Sequence, residues 1–393
     1  MGNLPNVKIT LGNGKLGRSS STPDGVAGMI ITGAAVGGKL DLNKHYQISS
    51  TRDLVALGID AQTNPLADKD IRAFYAQAGD GAELHLLFVP QATTLTAMCD
   101  TDVNSPLSKL INGGGGRIRL VGVNKLPPSG YTPDVAQCID GDAITAAAAA
   151  HLCAQSFAEQ IKPFRLLMPA PAWTGVTENL FKPRQSSYNR VGFVLASDDP
   201  ANKTAAISQV LGRAAKIETQ QNIGRVKSGS IAPEGYFTDG STYLDKAGYA
   251  ESLHDAGYIF YRSFPTKNGC YLNDDSMSAP ITDDYSNLNL GRIIDKANVI
   301  IYSVYIEEIL DELAVDEKGR IPEGACRSYE GMIRQAIGNE MGRQISGFRA
   351  FVDPDQNPLS TSILRISAEI TPKATLRKIN VDLSYRNPAL INS

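Results

Sequence analysis

The strongest constraint on the fold is an alternation of strand-like and helix-like segments between residues 26 and 217. Short apolar runs at 26–35, 83–89 and 164–170 have the length and composition of buried strands, and helical patterns separate them. The longest of these helical patterns, at 142–160, is rich in alanine, which favours a helix more than any other residue. Alternation of this kind predicts an open α/β sandwich, in which helices cover the faces of a sheet.

The pattern changes from about residue 218 onward. The sequence there predicts, in order, helices at 288–314 and 327–342, a strand at 347–353, and two further strands at 364–370 and 378–385. The last two strands alternate strictly between apolar and polar residues, which is typical of an antiparallel sheet with one solvated face. The first helix would end on acidic residues, the unfavourable charge for a helix C-terminus; they are Glu307, Glu308, Asp311 and Glu312.

Two strand-like segments lie near the ends of this sequence, and each is joined to the rest by residues typical of turns or loops. Apolar residues alternate with polar residues or glycine in both segments, at Val7, Ile9 and Leu11 and at Ile379, Val381, Leu383 and Tyr385. An isolated strand is not stable in water, so each segment must pair with the body of its own chain or with another chain. For the second segment, an ordinary strand in the chain's own sheet is the alternative to an intermolecular role.

Composition argues against several classes of function. The formal net charge is -3, whereas general nucleic-acid binders usually carry a basic surplus. No apolar run approaches the roughly 18 residues that span a bilayer, and the first residues lack the features of a secretory signal. None of the cysteines forms a CxxC pair, which is typical of unpaired thiols in a reducing compartment. We therefore expect a protein that stays in the cytoplasm unless another route exports it.

No motif in the chain predicts catalysis. The glycine run at 113–116 lies after a predicted helix and before a predicted strand, so it lacks the strand–loop–helix order and the Lys-Ser/Thr of a phosphate-binding loop. The four histidines are scattered without metal-ligand spacing, at His45, His85, His151 and His254. The acidic pairs at 198–199, 274–275 and 283–284 fall in turn-rich segments, where aspartate favours local backbone hydrogen bonds. We expect no catalytic residue, metal or cofactor; an α/β enzyme that binds an anionic ligand at the glycine run is the rival hypothesis.

Several segments together resemble one known family. YQISSTRDLVALGI at 46–59, NPLADKDIRAFYAQAGDGAELHLLFV at 64–89 and LGRAAKIETQQNIGRVKSG at 211–229 are similar to successive parts of contractile phage tail sheath proteins. The best match is NLGRIIDKANVIIYSVYIEEILDEL at 289–313, followed by a second helix, a strand, a turn with proline and a final strand ending in YRNP. The chain thus resembles a divergent branch of the phage-like and injection-system sheath subunits.

The resemblance implies a mixed α/β chain built from two structural units. Residues 1–25 and 218–393 would form an assembly domain with extended terminal arms, and residues 26–217 an inserted outer domain. In sheath families, such arms donate strands to the sheets of neighbouring subunits, so that main-chain hydrogen bonds join rings into a tube. The arm residues expected at these contacts are the seven alternating apolar residues named above.

The resemblance also implies a function. The chain would form a helical homo-polymer around an inner tube protein and contract to drive that tube through a target envelope, with no cofactor. Its further partners would be baseplate and terminal cap proteins, without nucleic acid and without stable membrane insertion. It would assemble in the bacterial host cytoplasm and end in a virion tail or a released injection particle. A tube or baseplate component is the alternative structural role.

Overall fold

The computed structural model describes residues 23–128, 130–201 and 203–385. Its strands are β1 Ala27–Gly33, β2 His45–Ile48, β3 Leu84–Pro90, β4 Leu120–Asn124, β5 Val135–Ala136, β6 Ile139–Asp140, β7 Arg165–Pro169, β8 Val191–Val194, β9 Ala196–Ser197, β10 Tyr236–Phe237, β11 Tyr258–Ile259, β12 Tyr261–Arg262, β13 Tyr271–Leu272, β14 Ile345–Val352 and β15 Ile366–Pro372. Its α-helices are α1 Asp53–Leu57, α2 Pro65–Ala78, α3 Leu95–Met98, α4 Pro106–Gly113, α5 Gly141–Glu159, α6 Ile207–Lys216, α7 Ala250–Ala256, α8 Leu288–Tyr305, α9 Glu323–Met341 and α10 Pro358–Thr361.

A seven-stranded sheet forms the centre of the larger part of the chain. Its strand order is β11-β8-β7-β4-β1-β3-β2. Every neighbouring pair is parallel except β2, which runs antiparallel to β3 at one edge. Because parallel strands need crossover helices, this sheet accounts for the alternation in the sequence, and the predicted α/β class is confirmed.

The sheet separates two hydrophobic cores. Alternate residues of β1 enter different cores: Met29 and Ile31 pack with α2 and α6 on one face, and Ile30 packs with α4 and α5 on the other. The alanines of α5 allow this helix to lie close to the sheet, and Ala146 and Ala150 are fully buried. Burial on both faces is why these strands read as continuous apolar runs in the sequence.

A smaller body follows at the C-terminal side. Helices α8 and α9 pack on an antiparallel hairpin of β14 and β15, and Ile293, Ala297 and Ile300 of α8 share a core with Ile333 and Ile337 of α9. The predicted helices and the predicted strands at 347–353 and 364–370 thus match observed elements, with ends that differ by a few residues.

The long helix ends earlier than predicted. α8 stops at Tyr305 and a single 3-10 turn covers Ile306–Glu308, so the prediction of a helix to residue 314 was wrong. The acidic residues after Tyr305 explain the early end, because carboxylates repel the negative end of the helix dipole. Leu310 then adopts a left-handed backbone with φ 69°, which a helix does not allow.

The cores also bear on the predicted domain division. Strand β11 pairs with β8 in the large sheet, and residues as far along the chain as Leu288 pack in the core of the larger body. The predicted division at residue 217 does not coincide with this change of core. The assignment of 1–25 and 218–393 to one assembly domain remains a prediction.

Candidate assembly surface

Four of the seven predicted arm residues lie in a segment that leaves the body. Residues 373–385, here called the C-terminal arm, follow β15, and no strand is assigned in this segment. The predicted strand at 378–385 is therefore not a strand of the chain's own sheet in the described structure. The exposed fractions of Ile379, Val381, Leu383 and Tyr385 are 75%, 77%, 94% and 106%. The other three, Val7, Ile9 and Leu11, lie outside the described residues.

Polar contacts fix the base of the arm. Arg377 Nε donates to Asp274 Oδ2 at 2.8 Å, and its Nη2 lies 3.6 Å from Asp275 Oδ1. Asn289 of α8 donates to Thr375 Oγ1 at 3.2 Å. The arm therefore leaves from a defined point, and its free part begins after Arg377.

The pKa values of the acidic pair at this point, Asp274 and Asp275, are shifted in opposite directions. Burial, together with the charge of Asp274, raises the pKa of Asp275 to about 7. Burial alone would raise the pKa of Asp274 as well, but the hydrogen bond and charge of Arg377 outweigh it and lower that pKa. Although burial lowers the pKa of Arg377, its bond to Asp274 raises it overall. The arm base is thus held by an ion pair in which the Asp274 carboxylate is the principal partner.

A groove lies beside the free edge of the hairpin. Among the described residues, β15 pairs only with β14, so the main-chain groups of its other edge have no strand partner. The groove next to this edge has a volume of about 700 Å³. Ile301 and Tyr305 of α8, Ile333 of α9 and Ile366 of β15 contribute to its lining. A strand added at this edge would place alternate side chains on these helices.

Exposed apolar residues surround the groove. Ile309 and Leu310, which follow α8, are 65% and 99% exposed, and Leu359 and Ile363 near α10 are 73% and 49% exposed. A contiguous apolar patch of this kind is typical of an interaction site and not of a surface that stays exposed to water. The sequence analysis did not identify these residues. The signal that could have identified Ile309 and Leu310 is that they are apolar residues inside an acidic segment.

The glycine run has a packing and turn explanation. A Cβ on Gly113 would lie 2.5 Å from the ring of His45, and one on Gly114 would lie 2.5 Å from Ile118. Gly115 and Gly116 have φ of 59° and 74°, which glycine adopts without strain. The run therefore closes a tight turn between α4 and β4 against packed neighbours.

The structure brings together two histidines that the sequence left apart. His45 Nε2 and His85 Nδ1 are 2.7 Å apart, and His85 Nε2 is 2.8 Å from Glu83 Oε1. The other carboxylate oxygen of Glu83, Oε2, contacts Arg117. Burial lowers the pKa of both histidines. Across the described part of the chain, no group of three or more His, Cys, Asp or Glu side chains is placed to hold a metal ion. None of the helices in these ranges is long and apolar enough to cross a membrane.

Comparisons with a family model and with solved structures show what this chain is similar to. The family model for the DUF2586 N-terminal domain matches residues 4–276. No curated protein matches the chain in sequence. Several solved structures share its fold across nearly the whole length, and three of them illustrate the match. One is the anti-feeding prophage (AFP) baseplate, with a TM-score of 0.60, 14% identity and coverage of 98% of this chain and 100% of the other.

The other two are sheath structures in the contracted state. The AFP helical sheath matches with a TM-score of 0.57, 15% identity and coverage of 98% and 100%. The PVC sheath complex of an extracellular contractile injection system matches with a TM-score of 0.59, 12% identity and coverage of 98% of both chains. The predicted resemblance to contractile sheath proteins is thus confirmed for the fold.

Proposed function

This chain belongs to the DUF2586 family, and we propose that it is the structural subunit of a contractile tail sheath, not an enzyme. In this proposal the subunits form a helical tube around an inner tube protein and contract to drive it through a target envelope. Baseplate and terminal cap proteins bind the two ends of the tube. Assembly takes place in the bacterial host cytoplasm, and the product is a virion tail or a released injection particle.

The observation that carries the proposal is that one chain presents both an exposed apolar segment without a strand partner among the described residues and a sheet edge that can pair with it. The free part of the arm offers four exposed apolar residues at alternate positions, and the edge of β15 offers free main-chain groups beside an apolar groove. Strand addition uses both features, since hydrogen bonds along the edge supply affinity and alternate side chains supply register. The arm of one subunit therefore pairs with β15 of a neighbour.

The dimensions are compatible with this pairing. The free part of the arm, from Lys378 to Tyr385, contains eight residues and extends about 26 Å at roughly 3.3 Å per residue. The edge offered by β15 is seven residues, or about 23 Å. The arm is thus long enough to cover the whole edge.

The energetics favour cooperative assembly over simple dimers. Burying the four apolar side chains contributes roughly 6–12 kcal/mol, at about 1.5–3 kcal/mol each. Ordering the eight free residues costs an amount of similar size, at about 1–2 kcal/mol per residue. One arm therefore binds weakly, and stable polymers need several contacts per subunit. Pairing of a second arm, at Val7, Ile9 and Leu11, meets that need.

The direct test removes the arm from the chain and then supplies it as a separate peptide. Sedimentation and negative-stain electron microscopy of the full chain at rising concentration should show tubes, rings or helical polymers, and a chain ending at residue 372 should not. A peptide of residues 373–385 should bind the shortened chain, and the same peptide with Ile379 and Val381 replaced by serine should not. Equal binding of both peptides would contradict strand addition.

The N-terminal segment has its own test. Deleting residues 1–15 should leave a folded subunit with unchanged unfolding by circular dichroism but without polymers, because a donated strand completes a neighbour's sheet and not its own core. Unfolding of the shortened subunit would assign the segment to the intramolecular core.

A baseplate role is the second candidate, because one of the solved structures with this fold is a baseplate. Particles of fixed ring size that never extend into tubes and show no contracted form would favour that role. Tubes of variable length would favour the sheath.

A further inference from the structure

Arg292 of α8 is buried, and two of its three guanidinium nitrogens have no hydrogen-bond acceptor among the described residues. The residue is 4% exposed. Its Nη2 donates to the main-chain oxygens of Asp24 at 3.3 Å and Ile217 at 3.2 Å. Its Nε and Nη1 have no acceptor among the described residues. Since buried polar groups are almost always paired, these donors indicate a missing acceptor.

The carboxylates around this guanidinium are already paired with other cations. Asp24 Oδ2 lies 2.6 Å from Lys296 Nζ. Asp295 accepts from Arg165 Nε at 2.7 Å and from Arg190 Nη1 at 3.2 Å. Neither carboxylate forms an ion pair with Arg292, and four cations, Lys296, Arg165, Arg190 and Arg292, share these two carboxylates.

Two further groups complete the surroundings. Arg119 has no ion pair within the described ranges, and its Nη1 donates to the main-chain oxygen of Gly116 at 2.7 Å. Asp275, whose charge also reaches Arg292, accepts hydrogen bonds from the side chain of Asn287 and from other groups. Arg119 and Arg292 therefore form no close ion pair among the described residues, although the charge of Asp24 acts on both.

A small cavity lies between these groups. Its volume is about 10 Å³, which is enough for one water molecule or one monatomic ion. The residues that line it come from the large body and from α8, and they are Asp24, Arg119, Thr219, Arg292, Asp295 and Lys296. The size excludes sulfate and phosphate, and the charge favours an anion over a water molecule.

We propose that this cavity binds a single monatomic monovalent anion of the chloride class, which accepts a hydrogen bond from Arg292. The anion supplies the acceptor and the negative charge that the cluster lacks. Because the lining comes from both sides, it also holds α8 against the large sheet. The site thus stabilises the junction between the two bodies of the subunit, whether or not the subunit assembles.

Thermal unfolding of the full chain tests the site. Chloride should replace gluconate stepwise at constant ionic strength, at a protein concentration below that of any polymer. We expect Tm to rise by about 1–3 °C and to level off, as binding to a single site requires, with bromide acting like chloride. A Tm that stays flat, or that changes linearly without saturation, would overturn the proposal.

Two variants identify the site. Arg292→Met should lose the saturating chloride dependence, whereas Arg334→Met, which removes an exposed arginine of α9, should keep it. If Arg292→Met does not fold, diffraction from crystals of the wild-type protein in bromide replaces it. An anomalous peak in the cavity beside Arg292 is expected, and an empty cavity in bromide would refute the site.

Discussion

Replacing Val381 by aspartate is the sharpest test of the C-terminal arm. Val381 is 77% exposed in the subunit, and its segment pairs with no strand there. The substitution should therefore change the free energy of unfolding of the subunit by less than about 0.5 kcal/mol, as is usual at exposed positions. Any larger effect must arise in the assembled state.

The magnitude of that effect follows from burial at the interface. In a neighbour's groove, the variant loses the roughly 1.5–3 kcal/mol that a buried valine contributes. It also places a carboxylate in an apolar environment, which costs roughly 2–5 kcal/mol unless it is paired. A loss of at least about 3 kcal/mol per contact raises the concentration needed for assembly by at least about 100-fold.

Asn380→Asp is the matched control. It adds the same charge one residue earlier, on the opposite face of an extended segment. Sedimentation should show that Asn380→Asp assembles within about threefold of the wild-type concentration and that Val381→Asp does not assemble. Equal assembly of the two variants would refute the prediction that only alternate residues of the arm face the groove. A lower Tm of the isolated Val381→Asp subunit would show that the segment packs inside its own subunit.

Three further perturbations probe other parts of the molecule. Leu310→Asp, at a 99% exposed position of the groove rim, should weaken assembly in sedimentation but leave Tm unchanged; normal assembly would exclude this rim from the interface. Asp295→Ala should lower the free energy of unfolding in urea by about 3–5 kcal/mol, because it leaves buried Arg165 without its carboxylate; a loss under about 1 kcal/mol would contradict this. Burial, followed by the charge of Asp198, raises the pKa of Asp70 to about 7. Protonation of this carboxyl therefore stabilises the fold fully below the unfolded pKa of about 4, and the contribution is lost as the pH rises to about 7. Asp70→Asn should therefore gain about 1–3 kcal/mol relative to the wild type between pH 5 and pH 8, and a constant difference across this range would show that Asp70 does not titrate there.

The sequence predicted the elements of the body well because local pattern and tertiary environment agree there. Residues of β1 are buried on both faces, so the apolar run at 26–35 has one interpretation. The end of α8 was harder to place, because the apolar stripe continues through Ile306 and Ile309 while the acidic residues between them oppose a helix. Strand order and the contact between His45 and His85 depend on long-range packing, which periodicity does not encode.

The candidate surface shows why a single chain can be only partly interpreted from its own core. The arm carries the strongest strand pattern in the C-terminal region, yet Leu383 and Tyr385 have no apolar neighbours to bury them within the described subunit. Leu310 is equally out of place on a surface that the subunit alone would leave polar. Residues of this kind report a partner, because a period-two apolar pattern stabilises a strand only when something covers it. The edge of β15 is short enough for the arm to cover it, and an apolar groove lies beside it. The partner that we propose for the arm is therefore another copy of the same chain.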